Sequence, residues 1–175
     1  MESIEYGVGI LAASHYLPKN KQTNEQLCEV LLDVTPEWIV SKTGIKQRYI
    51  ATENDSASSL ATEAVKKLLT KKQIDINDID LIIVATFSPD YVFPPVSAKI
   101  QKNLEAKNAQ IIDINTNCTG FITALTIASD RMLVDSTVKY SLVIGVELHT
   151  RFINPSDKET SIFFSDGAGV ALLGK

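Results

Sequence analysis

The chain has 175 residues, 45% of them apolar and 22% charged, with a net charge of −4. That balance suits a globular domain with one well-formed core and gives a nucleic-acid partner no electrostatic support. Two cysteines, Cys28 and Cys118, make no disulfide framework, and no residue cluster has metal-ligand spacing. With no signal peptide and no apolar run long enough for a membrane span, the expectation is a cytoplasmic protein with neither a metal nor a membrane partner.

Tyr6–Ala13 (YGVGILAA) reads as the first strand. His15 to Pro18 leaves it as an extended loop, because Pro18 disfavours helix at the residue before it. Thr23 and Gln26 fit a capping box for a helix through NEQLCEVLLD, in which Cys28 is a packing residue. Thr35 suits the N-cap of the next helix, Pro36 its first position and Gly44 its stop. That helix carries the only tryptophan, Trp38, with Lys42 one turn further on. Judged by residue type alone, Trp38 is read as a core anchor. The alternative is a flat surface for an aromatic ligand, with Lys42 meeting an anion.

Ser56–Leu69 is an amphipathic helix whose stripe is Leu60, Ala64, Val65, Leu68 and Leu69. Ile79–Thr86 reads as a buried strand. The loop Phe87–Pro95 (FSPDYVFPP) is rich in aromatics and proline, so it should be ordered against something apolar. It either caps the core, forms a pocket wall or makes a subunit contact. A helix then runs from Pro95 or Val96 to about Leu104.

Gln110–Asn115 is an Ile-rich run of the kind an interior strand needs. A turn follows, and a helix begins near Cys118. Phe121, Ala124, Leu125, Ala128 and Met132 recur at helical spacing, and Ile122, Ile127 and Leu133 widen the stripe until little polar face remains. Such a helix belongs inside a domain. A thiol at its N-terminus lies beside unpaired N–H groups and the positive end of the dipole, an environment that favours thiolate. The competing reading is a buried structural cysteine. Gly120 allows a neighbouring strand or a substrate to approach closely. Tyr140–Val146 is a strand, Glu147–Lys158 a polar loop, Ser165–Gly169 a turn and Val170–Leu173 a last strand. Strands alternating with helices predict a mainly parallel sheet covered by helices.

Four stretches together resemble a known family. They are Glu37–Gly44 (EWIVSKTG), Leu81–Thr86 with Phe93-Pro94, Asp113–Phe121 (DINTNCTGF) and Phe164–Gly169 (FSDGAG). In order and approximate spacing they are similar to the N-terminal half of β-ketoacyl-acyl-carrier-protein synthase III, a condensing enzyme of the thiolase superfamily. The resemblance implies an α/β fold, thiolase-like and layered α/β/α, with residues 1–175 as one half of a duplicated fold and the C-terminal half absent. It also implies Cys118 as the acyl-accepting nucleophile and Trp38 as a stacking partner for the adenine of coenzyme A. Lys42 and Lys158 occupy positions that commonly carry arginine near that nucleotide; lysine keeps the charge but not the flat fork of donors. Phe93 matches a phenylalanine that crosses the family's dimer interface to close the partner's acyl pocket. Phe164 matches an aromatic near the active-site floor, and His149 falls near the acyl pocket, where many members are apolar.

The family's catalytic His and Asn lie in the half that is absent, and neither His15 nor His149 matches that His. The intact enzyme would therefore condense acyl-coenzyme A with malonyl-acyl-carrier protein through a Cys118 thioester, losing carbon dioxide and starting fatty-acid or related acyl-chain synthesis. Both thioesters are substrates, and no cofactor is implied. This chain alone should be inactive. A homodimer is expected through the 110–115 strand and the 87–95 loop. The rival readings are another condensing enzyme of the superfamily, hydroxymethylglutaryl-coenzyme A synthase-like or long-chain, and a non-catalytic half-fold scaffold subunit.

Overall fold

A computed structural model describes residues 7–175. In chain order its elements are β1 (Gly9–Tyr16), β2 (Asn20–Thr23), α1 (Asn24–Cys28), α2 (Pro36–Thr43), β3 (Gln47–Ile50), α3 (Ala57–Lys72), β4 (Leu81–Ala85), α4 (Val96–Leu104), β5 (Gln110–Ile114), α5 (Gly120–Val134), β6 (Tyr140–Leu148), α6 (Lys158–Ser161) and β7 (Asp166–Gly174). Five strands form one sheet in the order β1-β7-β6-β4-β5, and β2 and β3 form a separate antiparallel pair.

Side-chain alternation along β4 builds the two cores. Ile82 and Val84 face α3 and α4, joining Leu60, Val65, Leu68, Ile100 and Leu172. Leu81, Ile83 and Ala85 face the other way, against Ala124, Ala128 and Met132 of α5. The result is a layered α/β/α arrangement. No helix among the described residues is long and apolar enough to cross a membrane.

The expected mainly parallel sheet is mixed instead. β4 runs parallel to β5 and β6, but β7 is antiparallel to both β6 and β1. The cause is the connection after β6: its only α-helix is the four-residue α6, too short to carry the chain across a sheet face, so β7 returns as a neighbour. The expected turn at Ser165–Gly169 is largely the beginning of β7, and the expected loop from Glu147 starts with the last residues of β6. His15 lies in β1 opposite Gly169, not in a loop. Of the expected first strand, Tyr6 lies outside the described residues.

Three more expectations change. The first helix stops at Cys28, where Val30 and Leu31 N–H groups both return to the Leu27 carbonyl and tighten the turn. β5 is an edge strand in this chain, not an interior one. α5 buries only the single stripe Gly120, Ala124, Ala128 and Met132, and Ile122 is 64% exposed because nothing among the described residues covers that side.

The caps read from sequence hold. Thr23 and Gln26 make a reciprocal capping box, Thr35 Oγ1 accepts from Trp38 N, and Gly44 takes the left-handed conformation at φ 72° that ends α2. α4 has no side-chain cap of its own. Asp113 of β5 supplies one from a distance, accepting from Val96 N at 2.6 Å and Ser97 N at 2.8 Å. Replacing Asp113 by Asn removes the charge facing two helix-start N–H groups. Unfolding in urea should then lose about 1 kcal/mol, seen as a lower midpoint with an unchanged slope.

Candidate active site

Cys118 sits in a 3-10 turn, Asn117–Thr119, that feeds directly into α5. Its neighbour Asn117 has φ 49°, the left-handed region, which turns the chain sharply from β5 into the helix. α5 begins without a side-chain cap, so its first N–H groups meet no hydroxyl or carboxylate from the local sequence. Gly120 packs α5 onto β4: a Cβ there would come within 3.1 Å of the Ala85 Cβ. The close approach allowed by Gly120 is to a strand.

The thiol is exposed, so the buried-cysteine alternative does not describe it. Cys118 lines an open depression of about 260 Å³ with Ala85, Phe121, Gly145, Glu147 and Gly167 among its walls. The carboxyl ends of β4 and β6 and the amino-terminal end of β7 meet here, and for β4 and β6 that is where ligand sites lie in α/β sheets. Thr119 N and Gly120 N already return to the Thr116 and Asn117 carbonyls, so what favours capture of a small electrophilic carbon is the exposed sulfur beside the positive end of the α5 dipole.

Glu147 was not singled out by the sequence, where it read as the first residue of a polar loop. It is the penultimate residue of β6 and fastens the C-terminal end of β4. Its Oε1 accepts from Phe87 N at 3.0 Å and its Oε2 from Ser88 Oγ at 2.5 Å. Asp166 does the same for β7, accepting from Ala51 N, Thr150 N and Thr150 Oγ1 while itself buried. The signal available in sequence was an acid at a strand boundary, which is common enough to carry no weight alone.

His149 stacks face to face on Phe164, with ring centroids 4.0 Å apart and planes 2° from parallel. Phe87 tilts onto the same imidazole at 4.4 Å. Phe164 lines a smaller cavity of about 150 Å³ with Leu27, Ile50 and Thr150, while the next residue, Ser165, lines the Cys118 depression. The aromatic cluster thus stands beside the thiol site.

Trp38 departs from the core-anchor reading. It is 38% exposed, and its neighbour Ile39 fills the core position at 0%. Lys42 is exposed one turn away. Lys158 opens α6 and meets Asp33 at 2.6 Å. That contact holds the Asp33 carboxyl below its ordinary range and the Lys158 amine above its own, chiefly through the hydrogen bond they share. α2 and the end of α6 are held together by a small cluster of Leu27, Leu31, Ile39 and Ile162.

Phe93 is 84% exposed and does not line the Cys118 depression. The 87–95 loop does not cap the core: Tyr91 and Val92 are also exposed. Its base is fixed by Asp90, which accepts from Ser58 N at the start of α3 and pairs with Lys99 at 3.0 Å. Burial alone would raise the Asp90 carboxyl, but the hydrogen bonds from Ser58 and Lys99 outweigh it and hold the group below its ordinary range.

The family profile described as 3-oxoacyl-[acyl-carrier-protein] synthase III matches residues 112–175. A β-ketoacyl-[acyl-carrier-protein] synthase III of Ehrlichia canis is 44% identical over 164 residues, covering 94% of this chain and 51% of the relative. The 3-oxoacyl-[acyl-carrier-protein] synthase III structure from Aquifex aeolicus superposes with a TM-score of 0.91 at 37% identity, covering 97% of this chain and 54% of that one. The priming β-ketosynthase of the R1128 polyketide pathway superposes at 0.90 with 33% identity, covering 96% and 50%. The chain spans about half the length of the relatives it matches.

The second cysteine provides an internal contrast. Burial holds the Cys28 thiol above its ordinary range, reinforced by Glu25 and Glu37 and opposed by Arg48. Iodoacetamide should therefore modify Cys118 ahead of Cys28 in the folded chain, as followed by peptide mass spectrometry; preferential labelling of Cys28 would contradict the exposed-thiol geometry. In sequence and in thiolase-like α/β/α fold, the chain is similar to one half of a β-ketoacyl-[acyl-carrier-protein] synthase III.

Proposed function

We propose that this chain is the nucleophile-bearing, N-terminal half of a condensing acyltransferase, and that Cys118 is its acyl carrier. The observation that carries this is the exposed Cys118 sulfur at the uncapped start of α5, inside a depression formed by three strand ends. The similarity to synthases III supports the same reading.

The chemistry runs in two stages. The Cys118 thiolate attacks the carbonyl carbon of an acyl-coenzyme A, and the tetrahedral adduct expels the coenzyme A thiolate, leaving an acyl-cysteine. A malonyl thioester on a carrier protein then loses carbon dioxide. The resulting carbanion attacks the acyl-cysteine carbonyl, and Cys118 leaves as thiolate while a β-ketoacyl thioester departs. Covalent capture divides one difficult step into two easier ones. The positive end of the α5 dipole beside Cys118 suits the oxyanion that forms in each. Decarboxylation calls for the His and Asn expected in a second half. Trp38, exposed on α2, is the adenine-stacking surface in this reading, with Lys42 and Lys158 toward the nucleotide phosphates. His149, Phe164 and Phe87 stand toward the acyl group.

The full-length protein incubated with acetyl-coenzyme A should gain one acetyl group on Cys118, detectable by peptide mass spectrometry. Replacing Cys118 by Ala should abolish both that adduct and malonyl-dependent product formation. Condensation that persists in the Cys118→Ala protein would refute the assignment.

The same reading includes a two-fold dimer. β5 leaves one row of backbone groups unpaired at the sheet edge, and Ile112 of that strand is exposed. Tyr91, Val92 and Phe93 add apolar surface from the 87–95 loop. Pairing β5 with its counterpart satisfies the edge and brings each loop to the other protomer. Sedimentation velocity over a range of concentrations should give a dimer, and Ile112→Lys should shift it toward monomer; a monomer at every concentration would reject the interface.

A further inference from the structure

Tyr91, Val92 and Phe93 are 60%, 101% and 84% exposed. Consecutive apolar side chains on a loose loop would fold back onto the nearest apolar surface. The contacts along the 87–95 loop hold them out instead. At its start, Glu147 accepts from Phe87 N at 3.0 Å and from Ser88 Oγ. Just past its end, Asp113 accepts from Val96 N and Ser97 N. The middle depends on Lys99, in the first turn of α4. Its ammonium pairs with Asp90 Oδ2 at 3.0 Å and lies 4.6 Å from the centre of the Tyr91 ring, within cation–π range. The Asp90 side chain is only 4% exposed, and its other oxygen accepts from Ser58 N near the start of α3. Water therefore screens this pair less than it screens the exposed pair of Lys158 and Asp33. One ammonium thus meets the two residues directly before Val92 and Phe93.

These contacts lead to the sheet edge. Asp113 belongs to β5, the edge strand, and fixes the start of α4. Lys99 stands on that same turn of α4 and fixes the loop. The loop is thereby referenced to β5 through α4. We propose that Lys99 is a positioning residue for assembly: it sets the exposed face of residues 91–93 against the β5 edge, so that a second copy of this chain meets both parts already in place. This rests on the reading of a two-fold dimer through β5. A loop ordered before association loses little freedom when the partner arrives, and that saved ordering appears as affinity. Removing the ammonium leaves the acid of Asp90 buried with one partner fewer, so a loss of fold has to be separated from a loss of position.

Two measurements on the full-length protein test this. Sedimentation velocity should show the dimer dissociation constant rising about fivefold or more in Lys99→Met, while Lys99→Arg, which keeps both the charge and the contact with the ring, stays close to wild type. In the Ile112→Lys background, where the dimer is weakened, backbone NMR order parameters at residues 90–93 should fall on Lys99→Met from about 0.85 toward 0.6 or below. Those of β4 and α4 should not move. A contribution to global stability alone would leave the native-state order parameters of the loop unchanged. If Lys99→Met does not fold, Lys99→Met combined with Asp90→Asn, which leaves no buried charge unpaired, replaces it with the same expectations. Unchanged order at residues 90–93, or a looser loop with an unchanged dissociation constant, would overturn the positioning role while the dimer stands. A wild-type protein that is monomeric at every concentration would overturn the dimer reading and the role of Lys99 with it.

Discussion

The close contact between the start of α5 and β4 is the constraint on which the site depends. Position 120 has no side chain, and even one added carbon would press on Ala85 at 3.1 Å. With that contact the helix rests on the sheet directly after a sharp left-handed residue, Asn117. Of the two residues between Asn117 and Gly120, Cys118 then has no place in either core. It is pushed out at the end of the sheet where β4 and β6 finish and β7 begins. A bulkier residue at 120 would lift the helix and carry the thiol away from the strand ends. The exposure of Cys118 thus follows from a packing demand two residues further along the chain.

Acids at element boundaries hold the surrounding loops in place. Asp113 caps α4 from β5, Asp90 holds the start of α3 from the 87–95 loop, and Glu147 and Asp166 bind the loops that leave β4 and β6. Each supplies an acceptor from a distant segment, in place of a missing cap at α4 and in addition to the local Ser56 cap at α3. Buried backbone N–H groups at such junctions must find an acceptor, and a charged acceptor gives the stronger bond. The consequence is a site whose walls are fixed by hydrogen bonds across the chain, while the Cys118 side chain stays exposed.

Local periodicity made the helices and the β4 strand legible, because α3 and β4 bury the residues that their spacing marks. Local chemistry also revealed the caps at Thr23, Thr35 and Gly44. Three kinds of feature were not legible. The direction of β7 depends on where a loop returns, which no residue pattern in FSDGAG encodes. The pair β2 and β3 consists of the polar segments NKQT and QRYI, in which Arg48 points inward at 1% exposure to donate to the Ile162 carbonyl and to Asn24. A buried arginine satisfied by carbonyl and amide oxygens looks like a surface residue in sequence. The third was coverage. The apolar breadth of α5 and the Ile-rich character of β5 were read as enclosure, yet both lie partly open in this chain. Their composition is legible as a need to be covered and says nothing about which chain supplies the cover.

The placement of Cys118 and the placement of the proposed nucleotide contacts differ in kind. Cys118 is held by the core, whereas Trp38, Lys42 and Lys158 stand on short helices joined by one small cluster. Lys158 is already paired with Asp33, and an anion must compete for it. Both partners are exposed, so water and salt screen the pair and keep it weak. An ammonium is also a compact charge that can turn from one acceptor to another without the geometric demands of a guanidinium. The pairing therefore leaves Lys158 available to a phosphate while holding α6 against the segment before α2 in its absence. Rigid chemistry at the sheet and an exchangeable charge at its periphery suit a substrate whose reacting carbon must be placed accurately and whose distant end needs only to be retained.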